Sequence, residues 1–167
     1  MGWSGHGLYD GDGTQTCHYS FMKWAGWKDD DAVGEAMTYT SRGGKTTLTN
    51  EMKVALTNNI DKVLKKMPKL NKFGFQGEED AIEWQMLLSL FFDNKLVPPK
   101  VVFDNGILAT EYLLQHDCTW DFDNPAKRKA VLRGFIKRVR KQYPPGVFFP
   151  HDPISGPCKI YVGSMGS

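Results

Sequence analysis

Apolar side chains recur at helical spacing through the middle and later parts of the chain, and that period restricts the fold to packed helices. Met52, Leu56, Ile60, Val63 and Met67 follow at intervals of four, four, three and four residues, with Pro68 just beyond. A period near 3.6 puts such a series on one face and proline cannot continue the helix, so one helix is predicted over 50–67. Glu78, Glu79 and Asp80 suit a helix N-terminus, and the run from Ile82 to Phe92 is apolar on most faces. It reads as a buried central helix that stops before Pro98 and Pro99. A third helix is predicted over 105–117, with Ile107, Leu108, Tyr112 and Leu113 or Leu114 inward. The fourth carries the strongest boundary signals: Asn124 as cap, Pro125 at the first helical position, Val131, Phe135, Ile136 and Val139 as its stripe, and Tyr143-Pro144-Pro145 as stop. Nearer the start, Cys17, Phe21 and Trp24 share one face of a short helix over 14–25, capped by Asp12 or Thr14 and ended by Gly26.

Two stretches favour β structure instead. The runs 37–40 and 46–49, separated by Arg42-Gly43-Gly44-Lys45, read as a hairpin with a Gly-Gly turn. Val147-Phe148-Phe149 and Lys159-Ile160-Tyr161-Val162 can supply short C-terminal strands. The predicted fold is therefore mainly α with minor β (α+β): four to five helices in one globular domain over 1–163, followed by a flexible tail at 164–167. With 167 residues, 41% hydrophobic and 13% aromatic, the chain can bury one ordinary core.

Composition excludes more than it assigns. A net charge of +2 with 24% charged residues argues for neither a nucleic-acid nor a membrane partner. The longest apolar run, 86–92, is interrupted by Ser89 and falls far short of the ~20 residues that cross a bilayer. The start lacks the basic and apolar pattern of a signal peptide, so a cytoplasmic location and no membrane partner are expected. The odd set Cys17, Cys118 and Cys158 suits reduced thiols.

No complete catalytic or cofactor motif is present, and no cofactor is expected. Gly43-Gly44-Lys45-Thr46 resembles the end of a phosphate-binding loop, but the required first glycine falls at Tyr39. Asp10-Gly11-Asp12-Gly13 resembles the start of a calcium loop, but Gln15 and Phe21 occupy the positions that need glycine and a bidentate glutamate. Cysteine lies near histidine at Cys17-His18, at His116 with Cys118, and at His151 with Cys158. Convergence of Cys17, His18, His116 and Cys118 would give zinc its tetrahedral set. Cys17 or Ser4 with His6 or His18, oriented by Asp10 or Asp12, would supply a nucleophile and base. Adjacent residues on a helix point about 100° apart, which opposes a direct Cys17–His18 pair.

Charge is distributed unevenly. Lys127, Arg128, Lys129, Arg133, Lys137, Arg138, Arg140 and Lys141 lie on the fourth helix, which contains no acidic residue. Lys129, Arg133, Lys137 and Arg140 form a stripe able to track a phosphate backbone, though no aromatic is interleaved on that face. Lys62, Lys65, Lys66, Lys69 and Lys72 make a second basic run.

The opening is the most distinctive local sequence, with five glycines in its first thirteen positions, then Trp24, Trp27 and Asp29-Asp30-Asp31. Met1-Gly2-Trp3-Ser4-Gly5-His6-Gly7-Leu8-Tyr9-Asp10-Gly11-Asp12 resembles the start of an uncharacterised family of small bacterial proteins that begin Met-Gly, tryptophan, Gly-x-Gly, an aromatic and an acidic turn. The tryptophan stands one position early and Ser4 separates it from Gly5. The resemblance implies a packing motif, with Trp3 and Tyr9 tucked under the first helix, and no catalytic role.

The leading expectation is a non-enzymatic accessory, immunity or inhibitor-type protein from a bacterium or mobile element, binding another protein through Trp24, Trp27, Asp29, Asp30 and Asp31. The alternatives are a nucleic-acid module using the basic helix Pro125–Gln142, and a metal-dependent or thiol enzyme.

Overall fold

The computed structural model describes residues 7–10, 12–28, 46–120 and 122–144. It opens on a turn in which the Gly7 N–H donates to Asp10 Oδ2 at 2.8 Å and the Asp10 N–H donates to the Gly7 carbonyl at 3.3 Å. Helix α1 (Asp12–Trp24) follows, and its buried face runs through Thr14, His18, Phe21 and Met22 to Ala25. The register predicted through Cys17, Phe21 and Trp24 is therefore displaced, because Cys17 and Trp24 flank this face half-buried. Polar Thr14 and His18 hid the true stripe. Thr14 lies inside the helix and is not its cap. At the other end Gly26, with φ 88°, donates its N–H to the Lys23 carbonyl, and the Trp27 N–H reaches the Met22 carbonyl, both at 3.0 Å. This paired closure needs the positive φ that glycine adopts without strain.

Residues 46–49 form no strand. Asn94 instead accepts from the Leu48 N–H and donates to the Thr46 carbonyl, each at 2.9 Å, so one side-chain amide satisfies backbone that a hairpin partner was expected to pair. Among the described residues, β pairing is confined to the isolated bridge Asn71–Gly74. Residues 37–45, the predicted C-terminal strands and the tail 164–167 lie outside the described residues.

The helix predicted over 50–67 is two: α2 (Asn50–Asn58), capped by Thr49, and α3 (Ile60–Lys66). Asn59 leaves helical geometry at φ −116°, ψ 21°, and its side-chain amide donates to the Ala55 carbonyl at 3.1 Å. Asparagine competes for the backbone in this way, which ends helices. The predicted stripe survives the break, since Met52, Leu56, Ile60, Val63 and Met67 are all buried.

Helix α4 (Glu78–Asp93) is the centre of the core, with every residue from Ala81 to Phe91 buried except Glu83. Helix α5 (Lys100–Leu113) starts earlier than predicted, because Pro99 at φ −57° stands at its N-cap position and accepts from the N–H groups of Val102 and Phe103. Proline there is tolerated because an orphan N–H is what it lacks. Short α6 (His116–Thr119) precedes α7 (Pro125–Gln142), whose Asn124 side chain accepts from the Lys127 N–H at 3.1 Å as expected.

The structure is mainly helical, and α4 against α5 is its most extensive packing. Gly106 permits that approach: a Cβ there would lie 2.4 Å from Leu88 Cδ2. Gln85 donates to Thr110 Oγ1 at 3.2 Å across the same interface. Gln85 Oε1 and both polar atoms of the Asn105 side chain are buried without a hydrogen-bond partner among the described residues. Helix α1 lies against α4, α2 and α3, and α7 packs on α5 and α6. None of these helices is long and apolar enough to cross a membrane.

Candidate nucleic-acid interface

Helix α7 buries Arg128, Leu132, Phe135, Ile136 and Val139, a spacing that turns the opposite face outward. That outer face carries Arg133, Lys137, Arg140 and Lys141, with Lys127 and Arg138 exposed on its flanks. Of the stripe expected from sequence, Arg133, Lys137 and Arg140 are exposed and Lys129 is half-buried. Arg140 pairs with Glu111 of α5 at 3.4 Å, and both side chains are about half exposed, so the pair adds little to stability.

Arg128 stands apart from this face. It is 1% exposed, donates to the Gly7 carbonyl at 3.1 Å and sits 5.1 Å from the Phe122 ring centroid. Burial pulls its guanidinium down to about 10, against the opposing pull of Glu78 and Asp10. Its role is to hold the opening turn against α7.

A second feature meets this face. The turn at 71–74 is closed by the Asn71–Gly74 bridge, by Gly74 at φ 101°, and by the Phe73 N–H donating to Asn71 Oδ1 at 2.8 Å. It leaves Phe73 84% exposed, with Lys72 Nζ 5.1 Å from the ring centroid. Between this turn and the C-terminal half of α5 lies a groove of about 340 Å³, lined by Phe73, Phe75, Leu108 and Tyr112 with Lys72 and Glu111 at its edges. Phe75 meets Tyr112 edge-on at 5.6 Å. Glu111 is the carboxylate that Arg140 holds from outside. The run from Lys62 to Lys72 thus reaches this aromatic groove through Lys72, and the α7 stripe is joined to it through the Arg140–Glu111 pair. Sequence reasoning missed this site because Phe73 sits in a connector without periodicity and Tyr112 belongs to a distant helix.

The other predicted residues are placed differently. Trp24 is half-buried and meets Phe21 edge-on at 5.8 Å, while Trp27 is half-buried against the core at the α1 closure. Asp29, Asp30 and Asp31 lie outside the described residues, as do Trp3, Ser4, His6, His151, Cys158 and the side chains of Asp12 and His116. His18 is fully engaged: Nε2 lies 3.0 Å from the Met86 carbonyl and 3.2 Å from Ser89 Oγ, and Nδ1 lies 2.6 Å from Thr46 Oγ1. Because a carbonyl only accepts, Nε2 carries the hydrogen and Nδ1 accepts from the Thr46 hydroxyl. Burial lowers this imidazole to about 4, with the Met86 carbonyl opposing, so it is neutral. Tyr9 packs edge-on to His18 at 5.6 Å and donates its hydroxyl to Asp93.

Burial pushes the neighbouring Cys17 thiol up to about 12, and Glu83 adds to the shift. A protonated thiol and an imidazole with both nitrogens occupied are poor material for a nucleophile–base pair. Cys118 is half-buried, and among the described residues no cluster of three or more histidine, cysteine, aspartate or glutamate side chains is placed to hold a metal. Compared with protein-family models, with curated proteins and with solved structures, the chain matches none.

Proposed function

We propose that the protein binds nucleic acid through the outer face of α7. The observation that carries the reading is the exposure of Arg133, Lys137, Arg140 and Lys141 on one side of an 18-residue helix that contains no acid. The core-facing stripe fixes this orientation, so the cations share a surface instead of scattering around the helix. Phosphate neutralisation by such a surface releases condensed counterions and supplies sequence-independent affinity that falls steeply with salt. Arg128 contributes no phosphate contact in this reading, because it is spent inside the fold.

Binding of another protein through the Trp24 to Asp31 region takes second place. Trp24 and Trp27 already pack against the core, which leaves them less apolar surface to offer as interface anchors.

Fluorescence anisotropy of labelled single-stranded and duplex DNA across a salt series tests the proposal. Affinity should fall linearly on logarithmic axes, and changing Arg133→Gln together with Lys137→Gln should lower the single-strand slope by about 1.5. Both side chains are exposed, so thermal stability should stay within about 0.5 kcal/mol of wild type. Absence of binding at the lowest salt, or an unchanged slope in the double variant, overturns the reading.

A further inference from the structure

We infer that the groove between the 71–74 turn and α5 is a base-stacking subsite, and that the nucleic acid this protein takes is single-stranded. The inference rests on the α7 reading and adds the class of strand. Phe73 is an exposed ring on a turn whose backbone is held by the Asn71–Gly74 bridge and the Asn71 side chain, so the ring is presented to solvent and not folded into the core. Lys72 lies against that ring, placing a cation beside the stacking surface. Phe75 and Tyr112 form the aromatic floor through their edge-on contact.

Charge selects the occupant. Lys72 lines the groove, and the carboxylate of Glu111, its other charged lining residue, is paired with Arg140 of the α7 face at 3.4 Å. An aromatic groove with Lys72 in its lining and its one carboxylate paired to a guanidinium fits a chain of aromatic bases on a polyanionic backbone better than it fits an apolar peptide. About 340 Å³ gives room for one nucleoside. Bases paired in a duplex are stacked inward and do not present their π-faces to such a groove, whereas unpaired bases do. The strand would run its phosphates along the α7 face and turn one base into the groove.

The test measures anisotropy with fluorescein-labelled dT15, an abasic phosphodiester of equal length, and a 15-base-pair duplex, all at low salt. Wild type should hold dT15 about tenfold tighter than the abasic strand. Phe73→Ala should remove that preference and leave abasic binding unchanged, and Phe73→Trp should restore it. Equal wild-type binding of dT15 and the abasic strand, or an equal loss on both in Phe73→Ala, overturns the stacking subsite while leaving the α7 face in place. No binding of any probe overturns both readings. Sedimentation of the same proteins covers another occupant: a dimer that Phe73→Ala converts to monomer puts a second copy in the groove and overturns the inference.

Discussion

Lowering the pH from 7.5 to 5 should cost the folded protein about 2 kcal/mol through His18 alone. In the unfolded chain this imidazole titrates near its ordinary 6.5, and in the fold burial holds it at about 4. Between those values the unfolded state binds the proton and the folded state does not. The contribution of His18 is therefore intact above about pH 6.5, falls by up to about 1.4 kcal/mol per pH unit below it, and is lost by about pH 4, for a total near 3 kcal/mol. Geometry explains the resistance to protonation: Nδ1 already accepts from Thr46, and a side chain only 1% exposed has no water to solvate a cation. Urea titrations followed by tryptophan fluorescence at several pH values give the measurement. His18→Gln supplies the comparison, since glutamine keeps a donor and an acceptor but gains no proton. Glu83, whose carboxyl is raised by burial with Asp80 and Glu79 adding, titrates with the opposite sign and is common to both proteins, so it cancels in the difference. The variant should lose about 2 kcal/mol less than wild type over the interval. Parallel pH profiles would refute the reasoning, because they would mean that the imidazole is charged or hydrated in the fold.

Packing between α4 and α5 gives two further tests. Gly106→Ala gains about 1 kcal/mol of helix propensity but drives a Cβ to within 2.5 Å of both Leu88 Cβ and Cδ2, so a net loss of about 2 kcal/mol is expected in thermal unfolding. A stabilised variant would show that the helices are not so close. Asn105→Leu replaces a buried amide that lacks partners among the described residues, and should raise stability by about 1–2 kcal/mol in urea. A loss instead would show that the amide is engaged.

How legible the protein was depended on whether a structure is built from one segment or several. Helix α7 could be read almost to its ends, because Asn124, Pro125 and the stripe through Phe135, Ile136 and Val139 are local signals that agree. The buried series from Met52 to Met67 was equally plain, although the pattern gave no sign of the break at Asn59, which depends on a side-chain bond to Ala55. The face of α1 was misread for a different reason. Periodicity counts histidine and threonine as polar, and His18 belongs to the core only because Met86, Ser89 and Thr46 arrive from elsewhere to satisfy it. Pro98 and Pro99 read as a stop in the sequence, while in the fold Pro99 also starts α5. The cations of α7 were visible as a stripe, yet their neighbouring aromatic groove was not, since Phe73 and Tyr112 meet only through the tertiary fold.

The clasp between Arg128 and the opening turn bears on how the protein comes apart. It joins positions 121 residues apart, and closing a loop of that length costs about 4 kcal/mol of chain entropy before any contact is made. The guanidinium must also shed its water to reach the Gly7 carbonyl, so this bond is expected to form after the helices around it have assembled. An interaction absent from the folding transition state leaves the folding rate nearly untouched and slows unfolding. Arg128 would thus act as a late latch, setting how long the folded state lasts more than how quickly it is reached.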